Sequence, residues 1–425
     1  MTRVLIVAEH ASARFGGEAA LPLHYFRVMT RRGIDVRLIT HARVRDELTQ
    51  TFPDDLQRIF YIEDTATHRT MWRLGRFLPA RIAYITTGFV SRLTTQFSQR
   101  RLARRLIREH GIDIVHQPMP VSPREPSLLH TLGAPVVIGP LNGNMDYPAA
   151  FRTTSERGIG MVEKFGRAFS GLLNSLMPGK RRAAAVLVAN ERTRDALPEG
   201  LRGEVILLPE NGVDLGVWHD ASPGSPGPDR PAGATKFIYM GRLIELKGVD
   251  LLLKAFKAAA ATSPMSLALL GDGPERESLV ALATSLGILA SREDEVGKVF
   301  FARWRTQQDC AVTLRQSDSL VLPSLRECGG AVVLEAMACG LPVIATAWGG
   351  PLDYLDSSTG LLVSPASREG FVEQLGACMS TLSASAELRR RLGAAARQRI
   401  EKEFDWERKV DVILQLYGRL AASTT

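Results

Sequence analysis

Between positions 220 and 234 the chain reads Asp-Ala-Ser-Pro-Gly-Ser-Pro-Gly-Pro-Asp-Arg-Pro-Ala-Gly-Ala, and on both sides of that stretch short apolar runs alternate with longer helical patterns. So much proline and glycine forbids regular structure and packs no core, so the stretch reads as a linker between two domains. Before it, strand-like runs fall at 3–8, 35–40, 58–62, 112–116, 135–139, 185–189 and 204–208; after it they fall at 236–240, 266–270, 299–302, 319–322, 342–346 and 361–363. Such alternation implies a parallel sheet with helices on both faces, built twice in this α/β chain. A length of 425 residues also exceeds what one hydrophobic core usually supports. The expected division is 1–219 for the first domain, 220–234 for the linker, 235–404 for the second domain, and an amphipathic terminal helix within 405–425.

The chemistry concentrates in the second half. Glu327-Cys328-Gly329-Gly330-Ala331-Val332-Val333-Leu334-Glu335 carries a loop into a helix, and the turn Gly340-Leu341-Pro342 leads to the strand that follows. Free amides at a helix start favour an anion, and glycine lets a ligand approach the backbone closely, so Gly329, Gly330, Ala331 and Val332 form a candidate phosphate cradle. Carboxylates beside it would repel phosphate and are better suited to sugar or ribose hydroxyls. The alternative is a solvated helix start with Glu327 as a capping residue and Glu335 on the surface. Upstream, the strand at 236–240 runs into Gly241-Arg242-Leu243-Ile244-Glu245-Leu246-Lys247-Gly248. Arg242 and Lys247 thus sit at the carboxyl end of a strand, where open α/β sheets hold ligands, and two cations there can bind a diphosphate. A further turn, Gly271-Asp272-Gly273-Pro274-Glu275-Arg276, follows the next strand.

In that order these motifs resemble glycosyltransferase family 4, the retaining, nucleotide-sugar-dependent enzymes of GT-B fold, in which two doubly wound Rossmann-like domains face each other across a cleft. Weaker points of resemblance are Gly16-Gly17, Asp113-Ile114-Val115-His116, Asn211-Gly212-Val213-Asp214, Gly349-Gly350-Pro351-Leu352-Asp353 and Gly360-Leu361-Leu362-Val363. The resemblance implies a nucleoside diphosphate sugar bound mainly by the second domain. Arg242, Lys247 and the amides from Gly329 to Val332 would face the departing diphosphate without a metal or other cofactor, Glu335 would hold the ribose and Glu327 the donor sugar. It implies too that the terminal helix crosses back onto the first domain. The acceptor, a saccharide or glycolipid of polysaccharide or lipopolysaccharide synthesis, would meet the first domain. There His116, Asn142 and Asp146 are the candidates, and Gly17 either approaches a ligand or marks a turn. Pro118 stands where relatives often carry a second histidine, so His116 reads either as a catalytic group or as a core histidine bonded to backbone. Cys328-Gly329-Gly330 replaces the common Gly-Phe-Gly, and Asp353 stands where relatives often carry glutamate. A same-fold sugar-nucleotide epimerase and a non-catalytic anion- or lipid-binding protein are the competing readings.

Charge adds one more feature. The formal net charge is +8, and the segment between His68 and His110 carries Arg69, Arg73, Arg76, Arg81, Arg92, Arg100, Arg101, Arg104, Arg105 and Arg108 against the single acid Glu109. Trp72, Phe77 and Phe89 are interleaved with them. Such a segment suits either an anionic lipid surface or an ordinary helix pair with a solvated basic face. No nucleic-acid-binding motif accompanies the charge. Cys310, Cys328, Cys339 and Cys378 form no metal-binding pair and read as reduced thiols, the first apolar run is too short for a secretory signal, and no apolar run is long enough to cross a bilayer. The expected location is the cytoplasm, with the inner membrane face as a peripheral site.

Overall fold

A computed structural model describes residues 2–152, 171–220 and 233–423, so most of the expected linker lies outside the described residues. The first sheet contains β1 (Val4–Val7), β2 (Val36–His41), β3 (Ile59–Ile62), β4 (Ile114–Gln117), β5 (Val136–Leu141), β6 (Ala185–Val188) and β7 (Glu204–Leu207), in the order β3-β2-β1-β4-β5-β6-β7. Every pairing in it is parallel. A parallel sheet is covered on both faces, which is why β1 reads Val-Leu-Ile-Val without alternation and is buried at each residue. The helix Thr87–His110 ends at Gly111, whose φ of 60° is the left-handed conformation that glycine adopts without strain.

The second sheet contains β8 (Thr235–Met240), β9 (Met265–Leu270), β10 (Val299–Ala302), β11 (Ser319–Leu322), β12 (Val343–Thr346) and β13 (Gly360–Val363), in the order β10-β9-β8-β11-β12-β13 and again wholly parallel. Its core is apolar, with Leu252, Phe256, Leu267, Leu320, Val333, Leu334 and Ile344 all buried.

Of the described residues, the first compact unit takes 2–144, 171–210 and 409–423, and the second takes 145–152, 211–220 and 233–408. These limits differ from a simple split at the linker, for local reasons. The backbone of Val213 bridges to Asp405 and Trp218 is buried in the second core, so residues from 211 onward pack there. Met145 to Arg152 join the same unit, where the Trp348 indole donates to the Asp146 carbonyl at 2.8 Å and the Phe151 ring meets Phe371. The helix Trp406–Ala422 passes from one unit to the other. Its Lys409 ammonium donates to the Glu210 carbonyl at 2.7 Å, and its Tyr417 hydroxyl meets His116 Nδ1 at 2.7 Å.

Candidate functional site

In the second sheet the strand order reverses between β8 and β11, and the two loops leaving their carboxyl ends open the crevice that doubly wound sheets use for ligands. Backbone contacts hold these loops. The buried Tyr239 at the end of β8 donates its hydroxyl to the Arg242 carbonyl at 2.9 Å, and Leu243 N donates to the Asp272 carbonyl at 2.9 Å. Gly271 lies so close to the first loop that a Cβ there would stand 1.9 Å from the Gly241 oxygen. Leu325 N donates to the Leu246 carbonyl at 2.9 Å, which ties the loop after β8 to the loop after β11.

That join sets the Lys247 ammonium against the Glu327 carboxylate. The two side chains are 18% and 13% exposed, and the buried Ser324 hydroxyl donates to the same carboxylate oxygen at 3.2 Å. Arg242 is exposed, and among the described residues no ion pair is recorded for it.

Gly330 then turns the chain with a φ of 77° and opens the helix Ala331–Ala338. A second glycine pair packs against this turn. Gly350 N donates to the Glu327 carbonyl at 2.7 Å, and a Cβ on Gly350 would stand 2.3 Å from the Gly329 oxygen. Two backbone segments can touch so closely only without side chains, so Gly349-Gly350 fixes the cradle that Gly329-Gly330 forms. On the helix, Glu335 is half-buried, and desolvation pushes its carboxyl up to about 7. A nearby effect of the same carboxyl is seen at Cys310, whose thiol is pushed up to about 11 by burial and then by Glu335.

Arg242, Lys247, Glu327, the Gly329 to Val332 backbone and Glu335 therefore belong to loops and a helix start at one edge of one sheet. Cations and helix-end amides there suit a diphosphate, and the two carboxylates suit hydroxyl donors. Residues 226–399 match the family model described as "Glycosyl transferases group 1". The matched region contains all of these residues.

Relatives extend the likeness. A lipopolysaccharide core biosynthesis glycosyltransferase, LpsE, of Rhizobium meliloti is 36% identical over 189 residues, 44% of this chain and 51% of that protein. A D-inositol 3-phosphate glycosyltransferase of Saccharomonospora viridis is 32% identical over 248 residues, 55% of this chain and 53% of that protein. The chain thus spans about half the length of these curated relatives. Among solved structures, Anabaena HepE in complex with UDP is 16% identical with a TM-score of 0.66, covering 99% of this chain and all 100% of that one. The sucrose-phosphate synthase of Thermosynechococcus elongatus is 19% identical with a TM-score of 0.63, covering 99% and 100%. These likenesses are of fold, and the fold is GT-B: two parallel-sheet Rossmann-like domains.

The remaining candidates lie elsewhere. Gly17 starts the helix Gly17–Arg31 behind Gly16, whose φ is 104°, and a Cβ on Gly17 would meet nothing within 4 Å. Gly16 is therefore held to glycine by its conformation, and Gly17 is not. His116 is fully buried in the first unit. Its Nε2 meets the Gly139 carbonyl at 2.6 Å and its Nδ1 meets Tyr417, while burial lowers the imidazole to about 4. Both ring nitrogens of His116 are thus engaged inside the first unit. Asn142 is buried too, and donates to the Glu210 carboxylate at 2.5 Å beside Asn190 and Thr193. Asp146, expected with the first domain, belongs to the second unit, where it is exposed 3.9 Å from Arg152. Sequence reasoning missed Tyr239 and Ser324, because a tyrosine inside an apolar strand and a serine at a strand end carry no pattern of their own.

Proposed function

We propose that this chain is a retaining glycosyltransferase of family 4 that moves a sugar from a nucleoside diphosphate sugar to a hydroxyl of a saccharide or glycolipid acceptor in lipopolysaccharide or related envelope-glycan synthesis. The observation that carries this reading is the Lys247–Glu327 pair at the reversal of the second sheet, beside a glycine cradle that opens a helix. Support comes from the names of its relatives, a lipopolysaccharide core glycosyltransferase among them, and from similar folds solved with UDP and UDP-glucose.

Lys247 and Glu327 neutralise each other. An arriving diphosphate exchanges for the carboxylate at Lys247, and the freed Glu327 accepts hydroxyl protons of the donor sugar. Arg242 joins Lys247 at the phosphates, and Glu335 takes the ribose hydroxyls. As the bond from the anomeric carbon to phosphate oxygen breaks, charge on the leaving diphosphate grows toward two cations and the helix-start amides, which stabilise it without a metal. The acceptor oxygen bonds to the anomeric carbon from the same face, and its proton passes to the departing phosphate. Configuration is then retained.

The acceptor side of the proposal includes a membrane. The helices Ala66–Gly75 and Ala80–Ile85 and the turn between them expose Trp72 (65%), Phe77 (87%), Tyr84 and Ile85 (63%), and Arg69, Arg73 and Arg76 are exposed among them. Large rings beside exposed cations suit anionic lipid, where a glycolipid acceptor would reside. Among the described residues no helix is long and apolar enough to cross a membrane.

A panel of nucleotide sugars incubated with the protein and with saccharide or lipid acceptors tests the activity. One donor should be consumed in step with a new glycoside of unchanged anomeric configuration. Inversion would remove the retaining assignment, and donor conversion to an epimer without acceptor would replace transfer by epimerisation.

A further inference from the structure

Three side chains meet at the carboxyl edge of β2 and β3 in the first unit, and none of them is among the residues assigned to the transfer. His41 ends β2, Asp64 follows β3, and His68 lies in the first turn of the helix Ala66–Gly75. Each offers one ligand atom, and these atoms lie within 4.8 Å of one another. The His41 side chain is 1% exposed, its buried Nε2 has no hydrogen-bond partner, and that nitrogen points at Asp64 Oδ1 from 3.5 Å. A buried ring nitrogen without a partner is costly to desolvate and needs a physical reason. His10, just beyond β1, leaves a second one, Nδ1.

We propose that His41, Asp64 and His68 bind one transition-metal cation of the zinc class. The proposal does not rest on the transfer reading. Two imidazoles and a carboxylate are the donor set of zinc and its neighbours, whereas magnesium and calcium take oxygen ligands. Bonds of about 2.0–2.2 Å in a tetrahedral shell place ligand atoms roughly 3.3–3.5 Å apart. His41 and Asp64 already stand at that separation.

His68 needs a small rotation and a change of tautomer. Its Nε2 now meets the Thr95 hydroxyl at 3.0 Å and its Nδ1 lies 2.9 Å from the Thr65 hydroxyl. Ligation through Nε2 exchanges Thr95 for the ion and puts the ring proton on Nδ1, where the Thr65 hydroxyl accepts it as an outer-shell partner and the 3.1 Å donation from Thr65 N is given up. Ligation of His41 through Nε2 likewise moves its proton to Nδ1 and gives up the long 3.3 Å contact from Arg43 N. The Arg43 guanidinium donates to the same Asp64 Oδ1 at 2.5 Å, which orients the carboxylate and leaves that oxygen's second lone pair to the ion. The same positive charge disfavours ions held by charge alone and leaves those that bond strongly to nitrogen. Asp64, 42% exposed, gives the ion its entry and a water its place in the fourth position.

The test uses the full chain, stripped with chelator and titrated with zinc, and with cobalt as a spectroscopic substitute. One ion per chain should bind saturably, cobalt should give visible bands of a tetrahedral nitrogen–oxygen shell, and the unfolding temperature should rise. Asp64→Asn, at an exposed position, should weaken binding at least tenfold with an unchanged circular dichroism spectrum, and His41→Ala and His68→Gln should abolish it. If His41→Ala does not fold, the other two variants decide. No saturable binding to the unmodified protein, a thiolate charge-transfer band from a cysteine site, or unchanged binding in Asp64→Asn would each overturn the proposal.

Discussion

Lys247 and Arg242 stand five residues apart in one loop, yet their removal should have different consequences. Lys247 neutralises a carboxylate that is largely buried and, among the described residues, otherwise bonded only to Ser324, so Lys247→Ala leaves Glu327 without its counter-charge. The cost should lie between that of an exposed pair and that of a buried one, roughly 1–3 kcal/mol, and should lower the unfolding temperature by several degrees. Arg242→Ala removes an exposed side chain and should leave the unfolding temperature unchanged. Both variants should lose at least a hundredfold in kcat/KM, about 2.7 kcal/mol or more of transition-state stabilisation. Steady-state kinetics beside thermal melts separate the two effects, and near-normal turnover in either variant would remove the diphosphate assignment. Glu335 adds a dependence on pH. Its carboxyl rises from the ordinary 4.5 to about 7 in the folded protein, so its contribution to stability is present below 4.5 and is lost as pH climbs through about 7. Glu335→Gln should therefore melt higher than the unmodified protein at pH 8 and about level with it at pH 4.5. In the proposed contact ribose hydroxyls donate to the charged form, so nucleotide affinity should weaken as pH falls through 7 and become insensitive to pH in the variant. Calorimetric titrations at several pH values check this, and an unchanged slope in Glu335→Gln would move the ribose contact elsewhere.

At the scale of elements, some arginines of the basic segment are anchored to their own unit and others are exposed. On the helix Thr87–His110, Arg92 pairs with Glu125 at 2.6 Å, Arg100 donates to the Leu128 carbonyl at 2.6 Å, and Arg104 donates to the Thr131 carbonyl at 3.1 Å. Those side chains hold the helix to its own unit. Arg73 and Arg76 are exposed beside Trp72 and Phe77, and the Arg76 guanidinium lies 5.1 Å from the Trp72 ring. Replacing Arg73 and Arg76 by Ser should weaken binding to vesicles of acidic lipid by about 2 kcal/mol, near thirtyfold, since each arginine near such a surface contributes about 1 kcal/mol. Phe77→Ser should weaken it further, in a way that added salt does not mimic. Equal co-sedimentation with neutral vesicles, or none with either kind, would return this face to a solvated helix pair. The division could not be read in the sequence, because the carbonyls that claim Arg100 and Arg104 come from a loop almost thirty residues away. The strands were legible because a buried parallel strand is written as an unbroken apolar run, as in Val-Leu-Ile-Val of β1. The Lys247 loop and the Gly329-Gly330 turn were legible for a related reason: special backbone and special charge follow strands directly. His41, Asp64 and His68 gave no sign, since their meeting depends on strand order and not on spacing.

For the whole molecule, the second sheet carries every residue assigned to the donor, so a nucleoside diphosphate should stabilise the protein through that unit. A ligand that binds only the folded state adds RT ln(1 + [L]/Kd), about 2.7 kcal/mol at a hundred times Kd, and should raise the unfolding temperature by several degrees. The diphosphate should do this more strongly than the monophosphate, because in the proposed exchange the second phosphate replaces Glu327 at Lys247. Cationic side chains and helix-start amides already complement that charge, so the increment should persist in excess chelator. Chelator should still lower the unfolding temperature of free and nucleotide-bound protein alike, by withdrawing the ion proposed at His41, Asp64 and His68. The two contributions separate because those ligands belong to the first unit and the diphosphate groups to the second. Thermal melts with UDP, ADP and GDP, each with and without chelator, resolve them in one experiment. A nucleotide increment that vanishes with chelator and returns with magnesium or manganese would place a metal at the diphosphate and transfer the leaving-group chemistry from Arg242 and Lys247 to that ion.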